Sequence, residues 1–192
     1  MKEGSVGLGS RTSIVALAVF VCTPAWAQDI EGVHVPDAVL LDGTRLVLNG
    51  AGVRRHYFFD VYVAALYLTR QADTPEAAMA APMPKRIRLH LLRDVAAEDM
   101  VNESLERFRA NASETAYAQL CDRVEAFRSA FPDLRAGDEA SVDLVPEGTE
   151  IWVNGWLLTE IPGEDFQEAV LKVWLGDGAA DQRLKQAMLG RW

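Results

Sequence analysis

NGAGVRRHYFFDVYVAALYLT, residues Asn49 to Thr69, is the stretch on which the reading of the fold turns. Tyr, Phe and Val crowd it, and side chains of that kind suit a pleated, half-buried surface. It reads as two strands, Arg54–Phe59 and Val61–Thr69, preceded by Gly50-Ala51-Gly52, where the backbone is free to turn tightly. Two permanent cations, Arg54 and Arg55, stand at the mouth of the apolar run. Successive strand side chains point to opposite faces, so one arginine faces the apolar side and the other faces out. Arg54 shares parity with His56 and Phe58, Arg55 with Tyr57 and Phe59, and parity alone does not choose between them. An inward guanidinium offers a planar fork that a carboxylate accepts with two parallel hydrogen bonds. The ordinary alternative is a pair of surface cations at a strand end.

Working outward, Val33–Leu41 and Thr44–Leu48 flank Asp42-Gly43, a two-residue hairpin signal. Ile87–Leu92 alternates with period two. The period then changes to 3.6. A helix capped by Asp94 runs to about Asn111 with an apolar stripe of Val101, Leu105, Phe108 and Ala112. A second, capped by Ser113, carries Tyr117, Leu120, Cys121, Val124, Phe127 and Phe131. Strands return at Ala140–Val145, Thr149–Val153 and Trp156–Ile161, with turns at Glu147-Gly148 and Asn154-Gly155. A helix over Gly163–Leu175 turns Phe166, Val170, Val173 and Trp174 inward, and a short one over Asp181–Leu189 closes the chain. Strands, two helices, strands, two helices is not the alternation of a parallel sheet. It is an α+β order, an antiparallel sheet with helices on one face.

Residues 1–27 read as a secretory signal peptide: Lys2 and Arg11, the apolar run Ser13–Cys22, then Ala25-Trp26-Ala27 as the cleavage site. The mature chain is then one domain, 28–192, periplasmic or secreted, with no integral membrane span. Of 19 Lys+Arg and 28 Asp+Glu, the leader holds Lys2, Arg11 and Glu3, which leaves 17 and 27 and a net charge of −10. Such a surface repels nucleic acid and anionic headgroups. Cleavage also removes Cys22, leaving Cys121 as an unpaired thiol that reads as buried and inert.

Catalytic and metal signatures are sparse. His34, His56 and His90 have no partners at metal-ligand spacing, and no cofactor motif is present. No nucleophile elbow surrounds a serine. Gly50-Ala51-Gly52 lacks the Lys-Ser/Thr pair and the helix of a phosphate loop. Tyr62, Tyr67 and Tyr117 each pair an apolar ring with a hydroxyl that could meet a ligand headgroup.

Four segments in order, LNGAGVRRHYFFDVYVAALYLT, LHLLRDV, VNGWLLTEIPGEDFQEAVLKVWLGD and the final LKQAMLG, resemble the bacterial chalcone isomerase-like proteins. These are related to plant chalcone–flavanone isomerases and to plant fatty-acid-binding homologues. The resemblance implies an open-faced β-sandwich with a ligand cleft between sheet and helices. It places the family's arginine on Arg54 and its helix tyrosine on Tyr117. Polar positions of the true isomerases fall on Tyr62, near Val124 and on Val173. The anion-binding pair is kept, whereas the polar groups that would stabilise a developing enolate are largely lost. The expectation is therefore a non-catalytic, apolar cleft holding a small apolar carboxylate such as a fatty acid through Arg54, Tyr117, Tyr62 and Val173. An intramolecular lyase or isomerase acting on a flavonoid-like or unknown substrate is the alternative. An Arg54 that projects freely into solvent, or is already neutralised by the protein's own acids with no space beside it, would sink the binding expectation.

Overall fold

The computed structural model describes residues 28–191, so the reading of a signal peptide over 1–27 lies outside the described residues. The elements run β1 (Gln28–Ile30), β2 (Val33–Val35), β3 (Ala38–Leu41), β4 (Thr44–His56), β5 (Phe59–Leu68), α1 (Pro75–Met79), β6 (Lys85–Leu91), α2 (Ala97–Ala110), α3 (Glu114–Gln119), α4 (Cys121–Ala130), β7 (Glu139–Val145), β8 (Gly148–Val153), β9 (Trp156–Ile161), α5 (Glu164–Leu175) and α6 (Gln182–Met188). Strands β3 to β9 form one seven-stranded antiparallel sheet in simple sequence order, and β1 and β2 pair separately. This is the α+β architecture that the element order predicts.

The helices bury the larger core against one face. Phe108 of α2, Phe127 of α4 and Phe166 of α5 meet with ring centroids 5.6–6.3 Å apart over Leu66, Ile87, Leu89 and Ile151 of the sheet. A smaller cluster on the other face joins Val35 of β2 to Leu46, Val63, Ala65 and Tyr67. β5 is thus buried on both faces, which is why its sequence has no polar alternation. Gln167 of α5 locks helix to sheet by donating to the carbonyls of Val145 and Gly148, both at 2.7 Å. Among the described residues no helix is long and apolar enough to cross a membrane.

Several local expectations are corrected. Gly50-Ala51-Gly52 is not a turn but the middle of the 13-residue strand β4. A Cβ on Gly50 would strike the Ala187 carbonyl and come within 2.8 Å of the Gly190 amide, and one on Gly52 would lie 2.7 Å from the Ala187 Cβ. The glycines therefore admit close approach of α6. Asn49 secures that contact, donating to the carbonyls of Met188 (2.8 Å) and Ala72 (2.9 Å) and accepting from the Ala72 amide (2.6 Å). The strand expected over Val33–Leu41 is broken after Val35 into β2 and β3, and Pro36, which has no amide proton to donate, occupies the break. Tyr57 and Phe58, expected within a strand, form the turn between β4 and β5. The β7–β8 turn is Pro146-Glu147, and Gly148 already belongs to β8. Asp94 does not cap α2: its carboxylate accepts from the Ala136 amide, while Asp133 accepts from the Ala97 amide. Ser113 does cap α3. The expected long second helix divides at Leu120, which rotates Cys121 out of the stripe and exposes its thiol.

Two outcomes follow. Gly50→Ala forces α6 away from β4 and costs at least about 2–3 kcal/mol, read from the shift of a urea midpoint. Burial pushes the Tyr67 hydroxyl up to about 12 against the partial opposition of Arg88, and it donates to the Pro36 carbonyl at 2.9 Å. Above the ordinary tyrosine range the unfolded chain loses this proton while the folded chain keeps it, so stability falls as pH climbs from about 10 to about 12. Urea midpoints compared at about pH 9 and about pH 11 show the fall, and Tyr67→Phe makes it shallower.

Candidate functional site

The site begins with an irregularity in pairing. Arg54 lies opposite Tyr62, but Arg55 lies opposite Asp60, so β5 carries one extra residue between them. The bulge re-aims both arginines. Arg54 turns under the helical layer and is 6% exposed, whereas the Arg55 side chain is half exposed and its Nε donates to Asp60 at 2.7 Å.

A buried guanidinium requires neutralisation. Arg54 Nη2 donates to Glu103 Oε1 of α2, and Nη1 donates to the Arg55 carbonyl. Asp181 Oδ2 stands 3.8 Å from Nη1. Asp181 is also the N-cap of α6. Its Oδ1 accepts from the amides of Arg183 (2.9 Å) and Leu184 (3.1 Å), while Oδ2 accepts from the Arg55 amide at 3.1 Å. One carboxylate thereby fixes the start of α6, the edge of β4 and the field at Arg54. The remaining donor, Arg54 Nε, is buried and finds no acceptor among the described residues.

Two spaces touch this guanidinium. The inner one, about 10 Å³, has room for a single water. Arg54, Tyr62, Val173, Trp174 and Asp181 are among the residues that line it. The outer one is an open cleft of about 740 Å³ between the β4–β5 hairpin and α2, a size that suits a small-molecule ligand. Val61, Tyr62, Val95 and Met100 give it apolar surface. Four arginines (Arg54, Arg55, Arg93, Arg107) and four acids (Asp94, Asp99, Glu103, Glu106) share the lining. The cleft expected to be apolar is thus mixed, an apolar strip between charged walls.

The structure brings Arg54, Tyr62 and Val173 together and leaves Tyr117 elsewhere. Tyr62 is buried, and its hydroxyl accepts from Trp174 Nε1 at 3.3 Å. Burial first, then the nearby Glu103, hold its pKa well above the ordinary tyrosine range, so it stays a neutral phenol. Tyr117, on α3, is half-buried against the core with the Arg109 guanidinium 4.9 Å above its ring, and it lines neither space. Glu103 and Asp181 are the site residues that sequence reasoning missed. The signal for Glu103 is the row Met100, Glu103, Arg107, which shares one helix face at i, i+3 and i+7.

A single helical layer over a seven-stranded antiparallel sheet, with a buried cation at their junction, defines an open-faced β-sandwich with an interlayer site. The chain belongs to the chalcone isomerase-like family, whose model matches residues 27–190. The crystal structure of a fatty-acid binding protein of Arabidopsis thaliana is similar, with a TM-score of 0.67 at 14% identity, over 82% of this chain and 92% of that one. Identity that low establishes the shared fold. No curated protein sequence matches the chain.

The dual role of Asp181 is testable. Asp181→Ala loses about 1–2 kcal/mol of stability, while Asp181→Asn, which keeps one carbonyl acceptor, loses less; denaturation midpoints give both values.

Proposed function

We propose that the protein is a non-catalytic binding protein of the periplasm, taking a small amphipathic carboxylate such as a fatty acid into the cleft between sheet and helices. The observation that carries this reading is the guanidinium of Arg54, 6% exposed and with an unpartnered Nε, at the inner end of a cleft of about 740 Å³. The guest's carboxylate would bind that fork, and its apolar body would lie along Val61, Tyr62 and Met100. Each methylene buried there contributes about 0.8 kcal/mol before ordering costs. The fatty-acid binding protein that shares the fold supports the choice of guest. The leader-like residues 1–27 support the periplasm.

Glu103 already occupies the fork, so the guest must exchange with it. The Glu103 side chain is 34% exposed and borders the cleft, which gives it solvent to turn into when displaced. Flavonoid isomerisation gains less support. Val173 offers no hydrogen bond, which leaves the Tyr62 hydroxyl, accepting from Trp174 and with its own proton still to donate, beside Arg54.

Titration with a fluorescent long-chain fatty acid tests the reading. Glu103→Gln removes the competing charge and tightens binding by about tenfold, roughly 1.4 kcal/mol. Arg54→Met weakens it by at least as much. Affinity unmoved in Glu103→Gln, or undiminished in a folded Arg54→Met, overturns the assignment.

A further inference from the structure

The tip of the β4–β5 hairpin differs in composition from the other hairpin turns, three of which carry glycine and the fourth of which is Pro146-Glu147. Two-residue turns at Glu31-Gly32, Asp42-Gly43 and Asn154-Gly155 place glycine second, with positive φ at both positions. That is ordinary hairpin chemistry. The turn at Tyr57-Phe58 has no glycine, and Tyr57 itself takes φ = 54°, a region that a bulky side chain occupies at a cost. Packing does not explain the choice. Tyr57 is 85% exposed, Phe58 97% and Phe59 57%. Three consecutive aromatic rings at a protruding tip are an interaction surface.

We infer that this tip docks on the surface of a zwitterionic phospholipid bilayer. A phenol ring settles at the headgroup level with its hydroxyl in water, and phenyl rings beside it bury into the headgroup–acyl boundary. A cation that can reach a lipid phosphate stands beside them: the Arg93 guanidinium lies over the Phe59 ring at 4.6 Å, is exposed, and has no ion-pair partner among the described residues. Arg55 adds less, because Asp60 already pairs with it. The whole chain carries −9, so a strongly anionic surface repels the body while a zwitterionic one does not. The geometry permits approach. Through Val153, Ala140 and Leu89, the register sets exposed Trp156 of the β8–β9 hairpin level with Ala64, five residues inside Phe59 along β5, so the β4–β5 tip reaches further. Tyr57 and Arg93 also border the cleft, so a docked tip turns the cleft mouth toward the lipid. The inference goes beyond the binding reading and stands without it.

The test uses the mature chain, residues 28–192, carrying Phe58→Cys with Cys121→Ser, labelled at position 58 with an environment-sensitive fluorophore. Vesicles are phosphatidylcholine alone, or phosphatidylcholine and phosphatidylglycerol in equal amounts. The expected result is a blue shift on phosphatidylcholine vesicles. In parallel, co-flotation of the otherwise native chain with those vesicles falls about fivefold or more on Phe58→Asp, a residue too exposed for the change to disturb the fold. A fluorophore unmoved by phosphatidylcholine, flotation unchanged by Phe58→Asp, or a shift that needs phosphatidylglycerol overturns the inference. So does a shift that appears without lipid as protein concentration rises, which reports a second copy of the chain on the tip.

Discussion

Everything at the site depends on how closely α6 lies on β4. Gly50 and Gly52 remove the side chains that would hold the helix away, and Asn49 bonds its last turn to the strand. Once α6 is fixed there, its N-cap, Asp181, must lie where β4 ends, beside Arg54 and bonded to the Arg55 amide. The helix cap is also one of the two carboxylates beside the buried cation, the other being Glu103. Moving α6 by the width of a methyl group would disturb the packing of Leu184 and Met188 and the charge balance at Arg54 together.

That balance also limits what can bind. A guanidinium sealed beneath a helical layer is tolerated because Glu103 and the Arg55 carbonyl occupy two of its nitrogens. A guest competes with an intramolecular carboxylate at high effective concentration, so the net affinity is a difference between two similar ion pairs. Neutral molecules gain nothing from the exchange, because leaving Arg54 unpaired is costly. An anion with an apolar body gains twice, once at the fork and once along Val61 and Met100. On the proposed reading, selectivity for amphipathic acids would follow from the occupied state of the cation.

Much of the fold was legible because it rests on periodicity. The strands of the sheet, α2 and α5 follow from alternation or from a 3.6-residue stripe, and Asp42-Gly43 and Asn154-Gly155 mark their turns by glycine chemistry. Legibility failed where tertiary contact overrides local preference. Glycines that read as a turn are strand residues under a helix. Tyr57 and Phe58 look like strand and form a turn. Cys121 fits the stripe on paper, but a break at Leu120 changes the helical phase. At the site, strand parity was undecided between Arg54 and Arg55 because the deciding feature is an extra residue in β5, which no alternation rule detects. Glu103 was hidden by a small error of phase: the buried face of α2 is Met100, Val101, Ser104 and Phe108, not the stripe through Leu105 and Ala112, and that rotation carries Glu103 to Arg54.

The β4–β5 hairpin separates two demands that usually coincide. From Tyr62 to Leu68 every residue of β5 is buried, so apolar composition there is explained by the two clusters on either side of the sheet. Toward Phe59 the layers end and burial ends with them, but the aromatic composition continues through Phe59, Phe58 and Tyr57. Folding alone would favour glycine, proline or polar residues there, as the other exposed hairpin turns have. What the scaffold does not require is what the proposed contact with a bilayer would use. The same hairpin therefore carries the inward cation at its root and an outward apolar surface at its tip, with the cleft mouth between them.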